Sequence, residues 1–265
     1  EWQDEAKSKA YLKKWVLEKK LSSRIDDLQP SEWFKTKAAE FQKACQEWQT
    51  KQKEFKASKK GSAAPKAGDG EEKNEDEDED SKMNIDIFSV EDICDVGDGE
   101  PLFSNFTFED WALLTLRFEL HLLQAAFKHD VDDPERIGIH ESHLLFYFSK
   151  YFKKQLNPKS YSKDTLQEVV ELVRDAVRLD ESSKVLASAL KEEPEAVSFF
   201  AKLQEESRRK RQQRIDAGDE TARLSFSVLQ QQQEGGGWTP APRQAKGAAK
   251  GEAAPRAPAA EAAGP

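Results

Sequence analysis

Apolar positions recur at three- and four-residue intervals along most of the first 205 residues, the period of an α-helix laid against a core. Between residues 4 and 28, Tyr11, Leu12, Trp15, Val16, Leu21, Ile25 and Leu28 keep this spacing without an internal Gly or Pro, which predicts a helix. Gln29-Pro30-Ser31 interrupts it. Proline is tolerated in a first helical turn, so a second helix is expected from there to about Lys60, where Gly61 and Pro65 stop it. Along that helix Phe34, Ala38, Phe41, Cys45, Trp48, Gln52 and Phe55 alternate steps of four and three residues, a short coiled-coil-like seam that Gln52 weakens. The short connection predicts an antiparallel helical hairpin over residues 1–60. Two helices bury little by themselves. Trp15, Trp33, Phe41 and Trp48 therefore have two readings: they seal the hairpin against itself, or they pack on another domain, a second copy or a partner protein.

Residues 61–82 hold almost nothing to bury and read as an acidic disordered linker. From Met83 the texture changes to that of a packed domain, expected over 83–205. Ile85, Ile87, Phe88, Val90 and Ile93 suit a short strand or a short helix starting at Ser89, and Gly97-Asp98-Gly99 marks a turn. The clearest helix follows, with Thr107 as N-cap, Asp110 in the capping-box position and an apolar run from Trp111 to Phe127. Apolar over so much of its circumference, it should be central. Further helices are expected from Leu144 to Leu156, from an Asp164 cap with Gln167 in the capping-box position through Val177, over about Glu181–Leu190, and from Pro194 to near Gly218. The last turns wholly polar through Ser207–Arg214, giving a basic helical extension over 206–229. Leu224, Phe226 and Val228 alternate with serines as an edge strand does, although no sheet is evident for them to join. Residues 230–265, rich in Gln, Gly, Ala and Pro, read as a disordered tail. The fold class is all-α.

The chain has 265 residues, 34% charged and 37% hydrophobic, with a formal net charge of −9. The division of charge alters the picture more than its total. Residues 1–68 carry 16 basic and ten acidic side chains, residues 69–80 one and nine, and residues 81–190 twelve and twenty. A basic arm thus precedes an acidic block and an acidic domain, to which the arm could dock. No stretch approaches the roughly 18–20 consecutive apolar residues of a membrane span, and no apolar signal region opens the chain, so it reads as intracellular, nuclear or cytoplasmic. With Glu1 first and Met83 the sole methionine, the chain reads as a fragment of a longer product or an incomplete sequence. Cys45 and Cys94 lie in separate segments and fit reduced, buried small hydrophobes.

Candidate chemistry is sparse. His140 and His143, three residues apart at a helix start, could share a face toward a metal, but no third ligand is spaced recognisably, and capping or core contact is the better reading. Asp130 to Glu141 superficially resembles a calcium loop; Glu135 stands where glycine must turn the chain and Pro134 cannot coordinate, so an acidic surface connection is expected instead. There is no nucleophile elbow, phosphate-binding loop or dinucleotide fingerprint. Arg208, Arg209, Lys210 and Arg211, with Arg214 a turn later, form the one dense basic cluster, preceded by Glu205 and Glu206 at pairing distance. Its readings are a solvated helix end, a nuclear import signal, or a strip contacting RNA or DNA phosphates. The expected function is a non-catalytic adaptor or scaffold that binds proteins through helical surfaces, with no cofactor, no membrane, and self-association open through the hairpin. The alternative is a nucleic-acid-associated protein of RNA processing or chromatin.

Overall fold

The fold is organised around one helix whose start is written in the sequence. Thr107 Oγ1 accepts from the Asp110 N–H at 3.4 Å while Asp110 Oδ2 accepts from the Thr107 N–H at 2.9 Å, a closed capping box. The computed structural model describes residues 4–62 and 86–235. Among them are seven α-helices: α1 (Glu5–Ser22), α2 (Glu32–Ser62), α3 (Phe108–Asp130), α4 (Glu141–Phe152), α5 (Leu166–Glu171), α6 (Ser198–Asp216) and α7 (Ser227–Gly235). Short 3-10 turns occupy Ile87–Ser89, Pro158–Tyr161 and Glu220–Ala222. The strands β1 (Ile139–His140), β2 (Val177–Leu179) and β3 (Val185–Ser188) form one antiparallel sheet in the order β1-β3-β2, with Ile139 opposite Leu186 and Leu179 also opposite Leu186.

The protein is thus mostly helical, as expected, with a small sheet that the periodicity did not announce. The helix expected over Glu181–Leu190 is instead the turn and second strand of a hairpin. The Asp180 carboxylate accepts from the N–H groups of Ser182 and Ser183 at 3.2 and 2.8 Å and from both hydroxyls, and Lys184 takes a left-handed φ of 54°. Those bonds satisfy the backbone in a turn and hold Asp180 well below the usual carboxylate range, Ser182 contributing most. β-Branched Val177 and Val185 then suit the pleated backbone better than a helix. The preceding helix is correspondingly short: Thr165 caps it, with Glu168 completing the box, one residue beyond the expected pair, and it ends after Glu171. Ile87–Ser89 forms neither the strand nor the helix starting at Ser89. Leu224–Val228 is no edge strand either; Phe226 is buried against Tyr161, ring centroids 5.3 Å apart, and α7 follows.

α3 is surrounded. Leu114, Leu116, Leu120 and Leu123 are wholly buried, and neighbours pack on several of its faces. α2 lies along one of them, Phe41 stacked on Phe118 at 3.8 Å; α6 lies on another, Phe200 edge-on to Phe118 at 5.4 Å; α4 brings Tyr147 against Phe127 at 5.0 Å. The seam of α2 is therefore part of the main core and is not sealed against α1. Gln52 completes that seam where it was expected to weaken it. Its amide donates to the carbonyls of Phe103, Ser104 and Phe106 at 2.9, 3.1 and 2.9 Å and accepts from the Trp111 indole at 3.2 Å, tying the 103–106 loop to α2 and α3. After α6 the chain returns to the body, burying Ala222 and Phe226, so the expected extension does not leave it. α2 runs to Ser62 and α7 to Gly235; the remainder of the expected linker and tail lies outside the described residues.

Candidate partner-binding surface

α1 differs from every other long helix: among its described residues none is buried. Locally it is a well-made helix. The Asp4 carboxylate caps the Lys7 N–H at 2.8 Å, and exposed Glu5–Lys9 and Lys14–Glu18 pairs run at four-residue spacing. Tyr11, Leu12 and Trp15 are 71, 57 and 46% exposed, with the Lys19 ammonium 5.8 Å above the Trp15 ring.

Among the described residues, the polar contacts that fasten α1 to the body gather at its C-terminal end and in the connector after it. Lys20 Nζ lies 2.9 Å from Asp133 and 2.6 Å from Glu135. Those contacts, Glu135 first, raise the Lys20 pKa, and Lys20 holds Asp133 below its ordinary range. Arg136 donates to the last-turn carbonyls of Lys20 and Ser23 at 2.7 and 2.8 Å, and His143 Nε2 faces the Ser22 carbonyl at 2.8 Å, which a ring N–H alone can satisfy. The connector continues the attachment: Arg24 sits 4.1 Å over the Phe146 ring, the Ile25 N–H donates to Tyr147 Oη at 2.8 Å, and Lys150 donates to the Asp26 carbonyl. Ser31 N–H and Tyr151 Oη both donate to Asp130, at 3.1 and 2.9 Å. Burial acts to raise the Asp130 pKa, and the bonds from Ser31, His129 and Tyr151 more than offset it, so the carboxyl stays below its usual range. Asp130, Asp133 and Glu135 of the calcium-like stretch thus fasten the α1–α2 segment, while Glu141 accepts from Gln167. His140 caps α4, accepting from Ser142 N–H. Among the described residues no three His, Cys, Asp or Glu side chains are grouped to hold a metal ion.

The four aromatics expected to bind a partner separate. Trp15 is exposed; Trp33 is half-buried and stacked on His129 at 5.0 Å; Phe41 and Trp48 are core residues, Trp48 lying 6.1 Å from Phe103. Tyr11 and Leu12, which were seen only as part of a helical period, join Trp15 on the open face.

The basic cluster is not an open strip. Glu205, itself buried, receives Arg208 through two bonds of 2.7 and 2.8 Å and Arg209 at 2.8 Å; Lys210 pairs with Glu206 at 2.7 Å, Arg211 with Asp110 at 2.5 Å and Arg214 with Asp219 at 2.6 Å. Pairing within α6 is what the i−3 and i−4 glutamates implied. The link to Asp110 opens a network that sequence reasoning missed. Gln204 Nε2 donates to Asp110 at 2.8 Å, Arg117 donates to Gln204 Oε1, and Arg117 closes on Asp175 with bonds of 2.9, 3.0 and 2.8 Å. An arginine in the middle of an apolar run was its signal, because a buried guanidinium must be paired. Cys45 is buried, and burial above all pushes its pKa up to about 12, so it is no nucleophile at neutral pH. No protein-family model, curated protein or solved structure matches the chain.

Proposed function

We propose that the protein is a non-catalytic adaptor in which a rigid helical body holds out α1 as the element that binds a partner protein. The observation that carries this reading is the contrast within one segment: an 18-residue helix without a buried residue, clamped at its C-terminal end, presents Tyr11, Leu12 and Trp15 to solvent. Most helical stability in proteins comes from packing one face against a body, which a helix with no buried residue lacks, and aromatic anchors in a helix face are what helix-in-groove recognition uses. The test is affinity purification with the intact chain beside a Tyr11→Ser/Leu12→Ser/Trp15→Ser variant. Loss of specific proteins supports the reading, and an identical partner set refutes it.

A second reading, nucleic-acid association, draws support from one feature. Lys51, Lys53, Lys56 and Lys59 stand exposed on the C-terminal half of α2, whereas the 208–214 guanidiniums would have to leave carboxylates to reach phosphate. Phosphate contacts predict binding to RNA or DNA that falls steeply with salt. No binding at low salt ends that reading.

A further inference from the structure

We propose that the open face of α1 pairs with the α1 of a second copy of this chain, antiparallel and about a two-fold axis; this names the partner in the adaptor reading and rests on it. Taken at about 100° per residue, Tyr11, Trp15 and Leu12 span one arc of the helix, which also holds Asp4, Ser8 and Ser22. Lys7 and Glu18 lie along one margin of that arc, and Glu5 and Lys19 toward the other. Lys20, held by Asp133 and Glu135, and half-buried Leu21 lie on the far side of the helix, so the attachment to the body leaves the arc open. Charge around the arc is therefore mixed, Asp4, Glu5 and Glu18 against Lys7 and Lys19. A partner segment of one sign, or a row of phosphates, would meet like charge along it.

The arrangement of those charges is what a two-fold pairing needs. On each side of the arc the two signs stand at opposite ends of the helix, Lys7 early and Glu18 late on one, Glu5 early and Lys19 late on the other. When two copies cross antiparallel near residue 12, Lys7 of each lies opposite Glu18 of the other, and Glu5 of each opposite Lys19 of the other, every pair occurring twice by symmetry. Tyr11 of one copy then packs beside Trp15 of the other, and the two Leu12 side chains meet at the centre. Glu5 and Glu18 keep Lys9 and Lys14 on their outer sides, at 2.6 and 3.8 Å, so those lysines stay outside the contact. A parallel pairing would instead set Asp4 on Asp4 and Lys19 on Lys19 within the arc and align the two helix dipoles. The antiparallel pair also holds the two acidic bodies at opposite ends of a rod about 27 Å long. Exposed ion pairs contribute little energy, so the apolar centre holds the pair and the charges set its direction. A contact this small falls below a standard interface, which makes the dimer weak and concentration-dependent.

The test is sedimentation equilibrium of the full chain up to about 0.5 mM, read as the dimer dissociation constant. Trp15→Ala removes an exposed side chain and should keep the parental unfolding midpoint, and it is expected to raise that constant about tenfold or more. Lys7→Glu and Glu18→Lys should each raise it about threefold or more, and the double variant Lys7→Glu/Glu18→Lys should return it to the parental value. In a parallel pair Lys7 faces Glu5, and the double change would weaken it further. Dimers that ignore Trp15→Ala, or single losses that the double variant does not restore, overturn the pairing. A chain that stays monomeric throughout the range overturns it as well. Foreign proteins retained by that monomer through Tyr11, Leu12 and Trp15 leave the adaptor reading standing, oligo(dT) retained through them replaces the protein partner by nucleic acid, and retention of neither ends both readings.

Discussion

Replacing Gln52 by leucine isolates what one buried amide does in this fold. Leucine nearly matches its volume, so no large cavity is created, but the carbonyls of Phe103, Ser104 and Phe106 and the indole of Trp111 lose their partner together. An amide NH₂ has two hydrogens, so the three carbonyls share two full bonds. At about 1 kcal/mol for each acceptor or donor left unpaired in a buried site, the expected loss is about 2–4 kcal/mol. With a urea slope of about 2–3 kcal/mol per molar for a body of this size, the midpoint should drop by roughly 1 M or somewhat more. Amide exchange should quicken first in residues 103–106. A loss under about 0.5 kcal/mol would show that the 103–106 loop holds itself and that the account of the α2 seam is wrong.

Four further outcomes follow from the same contacts. A Cβ on Gly138 would lie 2.7 Å from Val185 Cγ1 and 3.2 Å from the Leu186 carbonyl, so Gly138→Ala should destabilise by about 1–3 kcal/mol in thermal unfolding, with part of the loss regained in the Gly138→Ala/Val185→Ala pair. Arg117→Met strands Asp175 and Gln204 and is expected to lose about 3 kcal/mol; a double-mutant cycle with Asp175→Asn should show a coupling above about 1 kcal/mol. His121 is buried against Phe200, and burial pushes its pKa down to about 4 from 6.5. The unfolded chain therefore binds the proton first as pH falls, so stability is full above about 6.5 and declines toward about 4, by about 3 kcal/mol at most. His121→Leu should flatten that part of the stability–pH curve relative to the parent. Arg136→Ala removes the caps of the Lys20 and Ser23 carbonyls, and exchange should rise in the last turn of α1 while the global midpoint stays nearly unchanged.

How far the sequence foretold this structure varied by segment, for physical reasons. α3 was legible because cap, capping-box acid and continuous apolar stripe agree. The seam of α2 was legible in its spacing but not in its partner, since a helical period shows which face is buried and not what buries it. Val177 to Ala189 misled because a short apolar run suits helix or strand alike, and the deciding feature is the set of bonds Asp180 makes with Ser182 and Ser183. At the candidate surface, Trp15, Trp33, Phe41 and Trp48 look equivalent in a sequence; burial separates them, and it depends on long-range packing. The basic cluster was half legible. Glu205 and Glu206 lie three and four residues before their partners, whereas Asp110, the partner of Arg211, is 101 residues away.

The account stands on α1 being the face a partner covers. Hydrogen exchange of the full chain, free and with a protein retained by the intact chain, measures this directly. In the free protein α1 should exchange far faster than the buried helix α3, because none of residues 9–18 is buried. Binding should slow those amides about tenfold or more and leave α3 unchanged. Protection that falls on the body while residues 9–18 stay fast would contradict the account.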